Sequence, residues 1–265
     1  MIRWCPALAG LLVISACAAR MPPRPVGPPT PDPTAASAFE TATAACDANT
    51  RSIEAELRLS GRAGGERVRG RVLTGLEEGG SIRLEAPAPF GAPFFILAGR
   101  NERATLILPR EHRVLKDTSV RDVLERITGL ALGAEDLRLI ISGCLVEKAA
   151  PSEGRQWGSE WKAVTVGPDR VAYLRMQKGQ PVLTAADYGS WHVDYSEHNA
   201  DGFARVVRVR NAGDNAIDIT ARVEQLTVGG PINPRAWSVD IPSDADPMTL
   251  DELRSIAPLA DKPRQ

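Results

Sequence analysis

His192, Asp194 and Ser196 carry the residue types of a hydrolytic triad, and they alternate on one stretch that reads as a strand. They therefore face the same way, with neighbours about 6.5–7 Å apart along the strand. A nucleophile and its base must approach to about 3 Å, so the trio is no triad by itself. His192, Asp194, Glu197 and His198 also hold the donor types of a metal site. Such residues more often make a solvated strand face and turn, and we assign no metal ligand. The chain contains no Gly-x-Ser-x-Gly, no P-loop and no His-Glu-x-x-His. The cluster Gly61-Arg62-Ala63-Gly64-Gly65 fits a hairpin tip rather than a phosphate cradle. The expectation is a protein that is not an enzyme and needs no cofactor.

Composition narrows the class further. The 265 residues include 32 basic and 33 acidic side chains, a formal charge of −1, without the basic excess of a nucleic-acid binder. Hydrophobic residues make up 43% and charged residues 25%, ordinary values for a globular chain. Aromatics are only 5%, so a core must be mostly aliphatic. Four cysteines are too few for a disulfide scaffold.

The N-terminus reads as an address. Arg3 precedes an apolar stretch, Ala7 to Ile14, too short to span a bilayer. Leu12-Val13-Ile14-Ser15-Ala16-Cys17 resembles the lipobox of bacterial lipoproteins. That resemblance implies a signal peptide over 1–16 and acylation of the Cys17 thiol, leaving the chain anchored to a membrane by lipid. Ala18 after the cysteine implies the outer membrane, facing the periplasm. Seven prolines between 18 and 34 read as an extended, semi-rigid tether over 17–34. With Cys5 in the signal and Cys17 acylated, Cys46 and Cys144 remain as a pair in an oxidising compartment. A disulfide between them is expected, against two buried thiols.

The body of the chain, 35–257, reads as one domain, with 258–265 as a tail. Ala35 to Thr50 lacks Gly and Pro and suggests a helix capped by Thr34. The period then becomes two. Ile53, Ala55, Leu57 and Leu59 alternate with Glu54, Glu56, Arg58 and Ser60, and similar patterns run through 67–72 and 82–86. The segments 94–98 and 104–108 are apolar on both faces and need cover on both, or a lipid on one. Ser119 with Asp122 resembles a capping box for a helix bearing Val120, Val123, Leu124 and Ile127 and ended by Gly129. A second short helix carries Leu137, Ile140 and Ile141 and ends at Gly143. Six further strands follow between 157 and 228, with an edge piece expected at Trp237 to Ile241 and a last helix at Thr249 to Ile256. The architecture expected is mainly β with small helices: a curved antiparallel sheet, its concave face plugged by helices.

The order of elements resembles the LolA/LolB-like lipoprotein-carrier fold, an unclosed β-barrel with a helical plug. Arg83-Leu84-Glu85-Ala86-Pro87-Ala88-Pro89-Phe90-Gly91 resembles that family's strand and Asn-Pro-Leu-Gly loop, and Ile127-Thr128-Gly129 its Leu-Thr-Gly helix end. The resemblance implies a chaperone-like role: binding acyl chains, such as palmitate, and accepting or inserting lipoproteins or lipids at the outer membrane. Partners would be an acylated lipoprotein or lipid and a soluble periplasmic carrier. In LolB-type proteins an exposed leucine on the loop serves membrane delivery. Here Phe90, between Pro89 and Gly91, takes that place, either exposed or folded back into the core.

The mechanism follows from the alternation. Acyl chains lose about 0.8 kcal/mol per CH₂ exposed to water, and a concave aliphatic wall offsets that loss. The candidate wall is Leu57, Leu59, Val68, Val72, Ile82, Leu84, Ile96, Leu106 and Leu108, with Leu124 and Ile127 from the plug. The same residues would equally make a dry core, which is the expectation for an adaptor or scaffold lipoprotein of the same fold. Phe94 and Phe95 read as core or cavity lining. Arg58, Arg62, Arg67, Arg69, Arg71 and Arg83 crowd the outer face of the first strands. They read as a solvated face paired with glutamates, or as a docking surface for an acidic carrier or anionic head groups.

Overall fold

The computed structural model describes residues 23–46, 51–63, 65–145, 152–211 and 217–256. The expected signal peptide, Cys17 and the tail 258–265 lie outside the described residues.

The first half of the sheet comprises β1 (Thr30–Pro31), β2 (Ser52–Ala63), β3 (Glu66–Glu77), β4 (Ser81–Ala86), β5 (Phe95–Arg100), β6 (Arg103–Leu108) and β7 (Arg113–Ser119). The second comprises β8 (Ser152–Trp157), β9 (Trp161–Gly167), β10 (Arg170–Gln177), β11 (Gln180–Tyr188), β12 (Trp191–His198), β13 (Ala204–Arg210), β14 (Ile217–Val228) and β15 (Asp246–Pro247). Among the described residues four α-helices accompany them: α1 (Ala35–Ala42), α2 (Val120–Thr128), α3 (Ala134–Ser142) and α4 (Leu250–Ile256). All strands form one sheet in the order β1-β8-β9-β10-β11-β12-β13-β14-β2-β3-β4-β5-β6-β7-β15, unclosed between β1 and β15. Neighbours are antiparallel except β15 on β7. This is the curved, unclosed and plugged architecture the sequence led us to expect.

Alternation sets the faces. Along β2, Ile53, Ala55 and Leu57 are buried while Glu54 and Arg58 are exposed. The inward residues gather in two apolar clusters. One unites β2–β7 with α2 and α4. The other unites α1 with β9–β14. β14 pairs with β2 over their full lengths and joins the two halves. That pairing needs a close approach at Gly61, whose φ is +147° and where a Cβ would lie 2.0 Å from the Asp218 carbonyl oxygen.

Three expectations are corrected. The expected helix from Ala35 to Thr50 ends at Ala42, and Thr34 makes no side-chain cap for it; its hydroxyl instead donates to Asp32 at 2.7 Å. Residues 47–50 lie outside the described part. The edge piece expected at Trp237 to Ile241 is a 3-10 turn, Pro234–Trp237, followed by extended chain, and the edge strand is Asp246–Pro247. Asn233, with its side chain accepting from Arg235 N at 3.0 Å, starts that turn, and Pro234 suits it. The third concerns the tether. From residue 23 onward it is docked on the outer face of the sheet. Arg24 forms an ion pair with Asp187 and lies 3.6 Å from Asp194. Arg24 also donates to the carbonyls of Ala186 (2.9 Å) and Val193 (3.3 Å). Trp157 Nε1 donates to Gly27 O at 2.9 Å, Thr30–Pro31 pairs with β8, and the buried Asp32 holds Lys162. Proline density gives an extended chain, but these long-range partners decide where it lies.

Asp187 reports on this clamp. Burial pushes its carboxyl up, yet hydrogen bonds from Arg24 and His192 more than offset that and hold it below the ordinary value. A depressed carboxyl pKa contributes stability above the unfolded value and loses it as pH falls through the folded one. The clamp is therefore expected to hold at neutral pH and weaken below about pH 4. Limited proteolysis should cut Arg24→Ala within 23–29 at neutral pH, and the parent chain only after acidification.

Candidate functional site: an apolar cavity under a helical plug

The α2–α3 plug is held by its own caps and by both halves of the sheet. Ser119 Oγ accepts from Asp122 N at 3.4 Å, and Gly129 ends α2 with a φ of +77°, open to glycine without strain. Val120, Val123, Leu124 and Ile127 turn inward as their spacing requires. The α3 N-terminus is pinned by Glu102 of the β5–β6 turn, which accepts from Ala134 N (2.8 Å) and Glu135 N (2.9 Å). Asp136 accepts from Gly133 N (2.9 Å), Arg121 of α2 (2.7 Å) and the Tyr188 hydroxyl of β11 (2.6 Å). Just beyond α3, Cys144 is disulfide-bonded to Cys46, which follows α1. The Cα atoms are 5.4 Å apart, so the pairing expected from the cysteine count is present. Glu102→Ala would leave two helix N–H groups without their acceptor. A loss of about 0.5–2 kcal/mol is expected, read as a fall in Tm.

Under the plug, where the two apolar clusters meet, lies a cavity of ≈ 90 Å³. Its wall combines Leu57, Leu59, Val72, Leu84 and Phe95 from the first half with Val207, Val209, Ile219 and Ala221 from the second, and Leu124, Ile127, Leu130, Leu132, Leu137, Ile140 and Ile141 close it. Of the candidate wall residues, Leu57, Leu59, Val72, Leu84, Leu124 and Ile127 line it. Val68, Ile82, Leu106 and Leu108 do not; they are packed into the first cluster as dry core. Ile96 is corrected outright. It stands opposite Ile107 on the outer face, half-buried. The C-terminal segment crosses that face, with the 3-10 turn against β4 and β5, Arg100 donating to Pro234 O at 2.9 Å, and β15 on β7. This supplies the second cover that the two doubly apolar strands require. The wall contributed by β13, by β14 and by Leu130 and Leu132 was missed; Val207, Val209, Ile219 and Ala221 carried the same alternating signal as β2.

One polar atom in the wall has no partner. Thr74 is buried, it faces inward on the same side as Val72, and its Oγ1 makes no hydrogen bond among the described residues. An unmade buried hydrogen bond costs about 1–3 kcal/mol. Thr74→Val is therefore expected to raise stability, measured as a higher Tm.

The β4–β5 loop is built to present an aromatic ring. Phe90 is 89% exposed, with Pro89 and Gly91 exposed beside it. Arg110 of the β6–β7 turn clamps the loop from below: Nε donates to Ala92 O and Nη2 to Phe90 O, both at 2.9 Å. Its guanidinium also lies 4.4 Å from the centroid of Phe94. Phe95 lines the cavity, but Phe94, expected inside, is 38% exposed beneath that arginine. Of the two placements left open for Phe90, the protruding one is found.

Asp194, His192 and Glu197 of the triad- and metal-type residues are held in ion pairs or hydrogen bonds, whereas Ser196 Oγ is buried without a hydrogen-bond partner among the described residues. Asp194 is buried and paired with Arg210 and Arg24. His192 Nδ1 lies 2.7 Å from Asp187. His198 has its pKa lowered by burial.

No family model matches the chain, and no curated protein matches it significantly. Among solved structures it is similar to a LolA superfamily protein from Nitrosomonas europaea, at 8% identity and a TM-score of 0.53, over 77% of this chain and 97% of that one. It is also similar to a domain described as outer membrane lipoprotein-sorting from Vibrio parahaemolyticus, at 13% identity and a TM-score of 0.47, over 76% and 95%. The first likeness shows the fold: a LolA-like unclosed barrel with helices. Among the described residues no helix is long and apolar enough to cross a membrane.

Proposed function

From a chain with the LolA-like fold, we propose a membrane-anchored carrier or acceptor that takes acyl chains of lipids or lipoproteins beneath its α2–α3 plug and releases them at the outer membrane. The observation that carries this reading is the apolar cavity at the junction of the two clusters. Its wall suits hydrocarbon: the polar side chains lining it are Thr128, whose hydroxyl donates to Leu124 O, and Thr74, whose hydroxyl has no partner among the described residues.

At ≈ 90 Å³ the cavity is too small for an acyl chain, since pockets for ligands of comparable size run to about 300–1,000 Å³. Loading therefore requires the plug to withdraw from the sheet. Transfer needs no cofactor in this reading; direction comes from relative affinities for carrier, acceptor and bilayer. The Phe90 loop meets the bilayer at delivery. Acylation of Cys17 would place the lipid seven residues before Arg24, no more than about 25 Å away at full extension. The docked segment thus shortens the tether and keeps the domain close to the membrane.

The test is loading with a fluorescent fatty acid and with a triacylated peptide, together with native mass spectrometry of the protein purified from its host envelope. Ala221→Leu adds three carbons into the cavity and is expected to weaken loading at least tenfold with little change in Tm. The small resting cavity favours a second reading, an adaptor lipoprotein with a filled interior. A clean apo mass, unchanged by lipid and by triacylated peptide, would establish that reading instead.

A further inference from the structure

The β2–β3 hairpin opposes like charges. Arg58 stands directly across from Arg71, and Arg62 directly across from Arg67. Cross-strand pairs of like charge are unfavourable. The chain neutralises the first pair on both sides, with Glu224 at 2.9 Å from Arg58 and Glu56 at 2.6 Å from Arg71. It leaves the second pair alone. Arg62, Arg67 and Arg69 are exposed and have no acidic partner among the described residues. Asp218, the neighbour of Arg62 in register, is taken by Arg208. A groove of ≈ 600 Å³ runs between these side chains. Three unneutralised guanidinium groups around one groove call for an anion from outside the chain.

The topology narrows the source of that anion. Ala63 pairs with Glu66 and with Ile217, Arg210 with Asp218 and His192, and Tyr188 with Trp191. The hairpin tip therefore shares one end of the sheet with the β11–β12 turn. Asp187, which holds Arg24, lies two residues before that turn. Ala86 pairs with Phe95 and Leu108 with Arg113, so the Phe90 loop and the Arg110 turn also point to this end. An exposed aromatic ring at the same end of the sheet as unpaired cations suits a bilayer interface, where the ring enters the acyl boundary and the cations meet phosphate. An acidic protein would satisfy the arginines but gives no reason for the clamped, protruding Phe90.

We propose that the tip of the β2–β3 hairpin is a docking surface for anionic phospholipid head groups, contacted through Arg62, Arg67 and Arg69. Docking there turns the Phe90 loop toward the bilayer. The proposal rests on the reading that the chain works at a membrane, and it does not require the cavity to be loaded.

The experiment is vesicle flotation of the full chain carrying Cys17→Ala. It compares phosphatidylcholine vesicles with the same vesicles containing phosphatidylglycerol, at low and high salt. A basic side chain near an anionic surface strengthens partitioning about fivefold, so three should give a preference of about a hundredfold, lost at high salt. Arg62→Gln/Arg67→Gln/Arg69→Gln should abolish the preference without lowering Tm, because it also removes the opposed charges. Arg51→Gln/Arg103→Gln/Lys178→Gln removes the same formal charge at the opposite end and should keep it. A wild-type chain without the preference, or a hairpin variant that retains it, overturns the proposal. Binding of polyglutamate through these arginines without any vesicle preference also overturns it, in favour of an acidic protein. Fatty-acid loading reads the proposed function separately, and the hairpin variant should load like the wild type.

Discussion

Serine at both Cys46 and Cys144 is expected to lower the unfolding free energy by about 2–5 kcal/mol, a fall of several degrees or more in Tm. The bridge spans 98 residues of sequence, so its loss restores a large loop entropy to the unfolded chain. Its place in the fold adds a second consequence. Cys144 ends the plug and Cys46 follows α1, which packs against β8–β11. Without the bridge, α3 keeps its N-terminal pins at Glu102 and Asp136 but loses its C-terminal tie. Hydrogen exchange across 134–145 should therefore rise more than the global loss of stability accounts for. Fatty-acid loading should become faster, because in the carrier reading loading requires the plug to withdraw and the bridge ties down its C-terminal end. Equal loading rates in the bridged and reduced protein would show that the plug opens elsewhere.

Phe90→Glu carries the other large effect, and it separates delivery from folding. The ring is 89% exposed, so the folded state has little to lose, and a change within about 0.5 kcal/mol is expected. At a bilayer the loss is larger. Burying a phenyl side chain is worth about 1.5–3 kcal/mol, and the carboxylate adds repulsion from anionic lipid. Transfer of a labelled triacylated peptide into vesicles should fall at least tenfold, with loading of the cavity unchanged. Undiminished transfer would remove the loop from the mechanism. Arg110→Ala is the companion variant. It keeps the ring and removes the clamp on the Phe90 and Ala92 carbonyls, so a smaller loss of transfer is expected.

These expectations draw unequally on sequence and structure. Strict alternation made β2, β3, β4 and β14 legible, because a pleated strand buried on one face leaves a period of two. The plug helices were legible from their caps and their i, i+3, i+4 spacing. Part of the candidate wall was legible for the same reason: Leu57, Leu59, Val72, Leu84, Leu124 and Ile127 had one possible inward face. Ile96 was not, because a run that is apolar on both faces carries no sign of which side is the interior.

The sequence by itself determined the sheet, the plug helices and the cysteine pair, all properties of periodicity, capping and count, and its family resemblance pointed to the loop at Phe90. Only the tertiary structure decided that residues 23–34 lie docked on the sheet, that the cavity is small, that Phe90 protrudes over Arg110, and which arginines stay unneutralised. Each of these depends on partners far apart in the chain, such as Arg24 with Asp187 or Arg58 with Glu224. Local patterning selects the face a side chain takes, whereas the charge or apolar surface that meets it there is set by how the sheet curls.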